Sequence, residues 1–126
     1  MKLSILASVS TVALLAATSA FAQDPNNQST VTQSGANGTA TVTQSGSSAI
    51  SGVTQSGAWN EAVVLQAGAG STSAVTQSGN GQNAANANTV RVDQANGATS
   101  SVTQGADGAG NESEIAQAAA NSDAYV

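Results

Sequence analysis

The sequence predicts an all-β repeat protein in which short strand-and-turn units stack on one another. Three observations carry this. First, Val-Thr-Gln-Ser-Gly occurs four times, starting at Val31, Val42, Val53 and Val75, and Val-Leu-Gln-Ala-Gly keeps the frame from Val64. The glutamines therefore stand at Gln33, Gln44, Gln55, Gln66 and Gln77, eleven residues apart, and a short fixed period marks units too small to bury a core alone. Second, Thr and Val dominate the positions before each glutamine and favour strand, whereas Gly, Asn and Ser cluster after it and favour turns. Third, the chain has no Cys and a single Phe, Trp and Tyr, so neither disulfides nor an aromatic core can hold it together.

In chain order, residues 1–22 come first. Lys2 gives a positive start, Leu3 to Ala17 is mostly apolar, and Ala20-Phe21-Ala22 forms an Ala-x-Ala-like cleavage site. This pattern predicts a secretory signal peptide, too short and wrongly flanked to span a membrane. Residues 23–30 form a short segment leading into the repeats, which run over 31–126. Val92 with Gln94, Val102 with Gln104 and Ile115 with Gln117 continue the pairing of a branched aliphatic two residues before a glutamine. The last intervals between glutamines are 17, 10 and 13 residues, so the later units carry insertions and one deletion.

Strand parity assigns the faces, since side chains two apart share a side. Val31, Val42, Val53, Val64, Val75, Val92, Val102 and Ile115 lie on the glutamine face, together with Ala40, Ala62 and the glycines two after the glutamine, Gly35, Gly46, Gly57, Gly68 and Gly79. Threonines and serines at odd offsets lie on the other face. If the valines are inside, so are the glutamines, and a buried primary amide left unpaired costs roughly 1–3 kcal/mol. Stacked along one axis, each amide can instead bond its copy about 4.8 Å away. Glu61, Arg91, Asp93, Glu112 and Glu114 all sit at odd offsets, as the cost of burying charge requires. Arg91 and Asp93 are same-side neighbours that interrupt an otherwise neutral sheet surface.

Charge and inventory exclude several function classes. Without Lys2, Arg91 stands against seven carboxylates, a net charge of −6 that disfavours nucleic acid or anionic lipid as partners. The absence of His and Cys removes the ordinary catalytic triad, the reactive thiol and the imidazole metal site, so no enzymatic activity, cofactor or small-molecule substrate is expected. Gly79, Gly81 and Ala84 imitate a dinucleotide fingerprint without the strand and helix that give it meaning. Asp107, Asn111, Glu112 and Glu114 match no calcium-loop signature.

These residues resemble the curlin repeat, whose pattern is Ser, five residues, Gln, one, Gly, two, Asn, one, Ala, three, Gln. Gln55, Gly57, Asn60, Ala62 and Gln66 match it, with Ala49 in the Ser place. Gln33, Gly35, Ala40 and Gln44 match with Gly38 in the Asn place, and Ser71, Gln77, Gly79 and Ala84 match the front of a third copy. Gln104 and Gln117 flank a looser fourth, with Asn111, Ser113 in the Ala place and two inserted residues.

The resemblance implies a β-solenoid of about four two-strand arches, pairing Gln33 with Gln44, Gln55 with Gln66, Gln77 with Gln94 and Gln104 with Gln117. It further implies an amyloid-forming, extracellular subunit of curli-type fibres in biofilm and adhesion. Its partners would be copies of itself, related curlin subunits and the outer-membrane curli export machinery. Where the family's major subunit has a Gly-rich export leader, only Gln23 to Ser29 intervenes here, which leaves a nucleating or capping subunit as the alternative within the family. Asp123 to Val126 is a partial strand and a candidate polar cap.

The pairing of arches places both insertions, around Asn80 to Ala87 and Asp107 to Gly110, in turns on one edge, beside Trp59. A rival from another class is a monomeric ice-binding β-solenoid, suggested by Thr30 with Thr32, Thr39 with Thr41, and Thr41 with Thr43. Gly52, Ala74 and Ser101 break that array.

Overall fold

A computed structural model describes residues 6–9, 18–22, 26–105 and 108–126. Eight strands of six or seven residues carry the repeats: β3 (Gln28–Ser34), β4 (Thr39–Gln44), β5 (Ile50–Ser56), β6 (Asn60–Gln66), β7 (Thr72–Gln77), β8 (Asn88–Gln94), β9 (Thr99–Gln104) and β10 (Glu112–Gln117). They are preceded by β1 (Leu6–Val9) and β2 (Thr18–Ala22), inside the expected signal peptide, and followed by β11 (Asp123–Tyr125).

Odd and even strands form two all-parallel sheets, in the orders β1-β3-β5-β7-β9-β11 and β2-β4-β6-β8-β10. Each consecutive odd-even pair is therefore one arch of a parallel β-solenoid, and β3 to β10 supply four. The register places like on like. Val31, Val53, Val75 and Val102 align in one sheet and Val42, Val64, Val92 and Ile115 in the other. Unequal intervals along the chain leave this alignment intact because the turns absorb them.

Alternation fixes which face is buried, and the valine-rich strands show why they are strands. β6 reads buried at Asn60, Ala62, Val64 and Gln66, with Glu61 exposed and Val63 and Leu65 half-buried between them. The core is a dry strip of Val31, Ala40, Val42, Val53, Ala62, Val64, Val75, Val90, Val92, Val102 and Ile115. Its thinness suits a sequence with a single Phe, Trp and Tyr.

The glycines after the glutamines let the turns of successive rungs touch. A Cβ on Gly35 would overlap the carbonyl of Gly57, one on Gly57 would lie 2.5 Å from the carbonyl oxygen of Gly79, and one on Gly79 would lie 2.6 Å from that of Gly105. Gly46 and Gly68 form a second such file, ending against Ala95 and Asn96. Arch turns stack on one edge, where Trp59 N donates to Ala36 O at 3.0 Å and Gly81 N to Ala58 O at 2.8 Å. The first insertion and residues 108–110 of the second emerge there, as the arch pairing requires.

The first insertion overturns one detail of the sequence alignment. Ala84 does not occupy the Ala place of the third repeat: it starts a short 3-10 turn, Ala84–Asn86, capped by the Asn83 side chain and fully outside the core. The register instead aligns Asn88 with Asn60 and Val90 with Ala62. Counting forward from Gln77 ran into inserted residues, whereas counting back from Gln94 does not. Asp107 of the second insertion lies outside the described residues.

Candidate functional site: amide ladders and sheet edges

Gln44, Gln55, Gln66, Gln77, Gln94, Gln104 and Gln117 are buried, and Gln33, at the start of its file, is half-buried. In one sheet Gln33 Nε2 donates to Gln55 Oε1 at 2.5 Å, Gln55 to Gln77 at 2.7 Å and Gln77 to Gln104 at 2.9 Å. In the other, Gln44 donates to Gln66 at 3.0 Å, Gln66 to Gln94 at 3.0 Å and Gln94 to Gln117 at 3.1 Å. Every one of these bonds points toward the C-terminal rung. Both ladders are therefore polar, with their acceptor ends at the N-terminal rung.

Apart from Gln33, each ladder amide also donates across the solenoid to backbone carbonyls in the opposing wall. Gln66 Nε2 lies 2.9 Å from Ile50 O and 3.1 Å from Ser71 O, and Gln44, Gln94 and Gln117 repeat this on Gln28 and Ala49, Thr72 and Ala98, and Thr99 and Ser122. In the other file Gln55, Gln77 and Gln104 reach Thr39, Asn88 and Thr89. A side chain thus closes the gap between sheets that no backbone bond spans. Carbonyls can only accept, so this contact fixes which end of the amide is nitrogen.

A shorter asparagine file runs the other way. Asn88 Nδ2 donates to Asn60 Oδ1 and Asn111 Nδ2 to Asn88 Oδ1, both at 3.1 Å, while Gly38 holds the corresponding place in the first arch and offers no amide. Asn88 belongs to this file although sequence reasoning passed over it; it stands six before Gln94, as Asn60 stands before Gln66 and Asn111 before Gln117. A second unforeseen column is Ser29, Ser51, Ser73 and Ser100, all buried four residues before their glutamines. Ser100 Oγ donates to Ser73 Oγ at 3.2 Å, but Ser29 Oγ and Ser51 Oγ have no partner.

One ladder atom also lacks a partner: Gln44 Oε1 is buried and accepts nothing. The strand alongside it is β2, whose register sets Ala22 against Gln44, and alanine brings no amide to donate. An unpaired buried carbonyl of this kind costs on the order of 1–3 kcal/mol.

Outside, Thr32, Thr54, Thr76 and Thr103 align in a single file, but its neighbour reads Thr30, Gly52, Ala74, Ser101. The other sheet presents Thr41, Val63, Arg91 and Glu114. A regular two-file threonine array is thus absent from both described faces. Arg91 pairs with Asp93 at 2.6 Å and with Glu114 at 3.9 Å, all partly exposed. Among the described residues no three His, Cys, Asp or Glu side chains group as metal ligands would, and no helix is long and apolar enough to cross a membrane.

Parallel sheets joined by stacked arches over continuous glutamine ladders define a parallel β-solenoid repeat protein whose register is set by side-chain amides. Within it, residues 52–79 match the family described as Curlin associated repeat, the repeat that the glutamine spacing resembles. The matched segment runs from within β5 through β6 and β7, most of the second arch and the first strand of the third. No curated protein and no solved structure matched.

Proposed function

We propose that this chain is a secreted structural subunit of a curli-type extracellular fibre, in which copies stack end to end so that both sheets and both glutamine ladders run on through the junction. Residues 1–22 act as the signal peptide, and their removal takes β1 and β2 away and bares the edges of β3 and β4. The observation that carries this reading is the unpaired Gln44 Oε1 under β2. A donor is available in a second copy: if β4 lies along β10, the Gln117 amide of one copy stands opposite Gln44 of the next, and Gln104 opposite Gln33. The ends are complementary but different, so the contact is heterologous and generates an open filament. Backbone bonds along unpaired edges supply the rest of the affinity.

The partners that follow are further copies, related curlin subunits and the curli export machinery; the setting is the outer cell surface, in adhesion and biofilm. The test is fibre diffraction with electron microscopy on residues 23–126 incubated in dilute buffer. Straight fibres with reflections near 4.7 and 10 Å are expected. A persistently clear solution of folded monomer would overturn the fibre reading.

A further inference from the structure

The two sheets do not end together. Leaving out β1 and β2, one sheet holds β3, β5, β7, β9 and β11 while the other holds only β4, β6, β8 and β10. The surplus strand is unlike the rest. β11 has three residues against six or seven, pairs only with Thr99, Ser100 and Ser101 of β9, and carries no glutamine. Beyond it Val126 N donates to Ser101 O at 3.0 Å and Thr103 N to Val126 O at 2.9 Å. Of this segment only Ala124 packs on the core, and Tyr125 and Val126 are 74% and 60% exposed.

The edge that β11 covers is the one an incoming β3 needs. β3 is built like β5 and β7, whose partners across β9-type register run from the first residue of the strand to its glutamine. Laid on β9, it would pair with Thr99 to Gln104 in full, setting Val31 on Val102 and Gln33 on Gln104. In the same step β4 would meet β10. With β11 in place, β3 is held one strand too far out and the two sheets of the newcomer cannot both continue.

We propose that β11 is a built-in plug on the C-terminal edge, bound weakly enough for β3 of a second copy to displace it, and that this displacement gates fibre growth. The inference rests on the fibre reading above and adds to it a device by which the folded chain resists joining its neighbours. Short, charged, poorly buried edge strands serve that purpose elsewhere.

The experiment locks and releases the plug in residues 23–126. Ser101 and Tyr125 are direct Cα partners on adjacent strands, whose spacing of about 4.8 Å lies within disulfide range. Oxidised Ser101→Cys/Tyr125→Cys chain should still dock its β3 on a wild-type fibre end but then present a plug that cannot leave. It should therefore arrest seeded growth of wild-type protein at a small fraction of its concentration, and reductant should restore growth. Ala124→Pro, which disrupts β11 pairing, should shorten the lag. Growth unaffected by the oxidised variant, or slowed by Ala124→Pro, would overturn the plug while leaving the fibre reading standing. Absence of fibres from wild-type chain would remove both.

Discussion

Gln44 and Gln66 occupy equivalent ladder positions, and comparing their replacement by leucine isolates the value of one amide bond. Both are 1% exposed and both sit in the valine-walled interior, so the gain from added apolar bulk is common to the two and cancels. Each loses one donation up the ladder and two to backbone carbonyls. The difference lies in the acceptors. Gln66→Leu strips the donor from Gln94 Oε1, takes the acceptor from one Gln44 N–H and leaves the already unpaired Gln44 Oε1 in place, adding two buried unpaired groups. Gln44→Leu strips the donor from Gln66 Oε1 but deletes the orphan at Gln44, so the count does not change. Gln66→Leu should therefore be the costlier substitution by at least about 1–3 kcal/mol. For a chain of this size that is a gap of at least about 4 °C in Tm. Freshly prepared monomer of residues 1–126, in which β2 still covers the Gln44 strand, read by urea titration with the slope checked for constancy, gives the free energies directly. Equal losses, or a larger loss at Gln44, would refute the ladder bookkeeping.

Other consequences follow from the same geometry. Ser51→Ala removes a hydroxyl that is buried and unpaired and should stabilise by about 1 kcal/mol in urea titration, whereas Ser73→Ala breaks its bond with Ser100 and should not. Gly46→Ala drives a Cβ into the carbonyl of Gly68 and should destabilise by more than about 1 kcal/mol; Gly52→Ala, with nothing within 4 Å, should stabilise by roughly 0.4–1 kcal/mol, both read as shifts in Tm. Arg91→Ala breaks two partly exposed ion pairs and should change stability by less than about 1 kcal/mol, with a loss that shrinks further in high salt.

Much of the interior was legible because a strand repeats every two residues. Once the valines before Gln55 and Gln66 are taken as inward, parity leaves the glutamines no other side, and the charges at odd offsets agree. What parity does not contain is the other half of each contact. The carbonyls of Ala49, Ser71, Ala98 and Ser122 that receive the second amide hydrogen are backbone, and no residue pattern announces them. The serine column was missed for a different reason: Ser51 and Ser73 share the parity of Val53 and Val75, but a hydroxyl reads as a surface group until a narrow core shows that only a small side chain fits. Asn88 was hidden by the insertion before it. In each case the rule was present, and composition spoke louder than position.

The two kinds of amide file have opposite directions, and this assigns different tasks to them. Glutamine donors point toward the C-terminal rung, while Asn88 and Asn111 donate toward the N-terminal one. Within the chain both hold the rungs in register. At an end-to-end junction they diverge: Gln117 and Gln104 would face the carbonyls of Gln44 and Gln33, but Asn111 would face Gly38, which has nothing to offer. In the proposed filament the glutamine files would then be continuous and the asparagine file broken once per subunit. The alignment of one copy on the next must come from the glutamines and valines alone. Gln33 and Gln44, least satisfied within a single chain, are the residues whose bonding an added copy would change most.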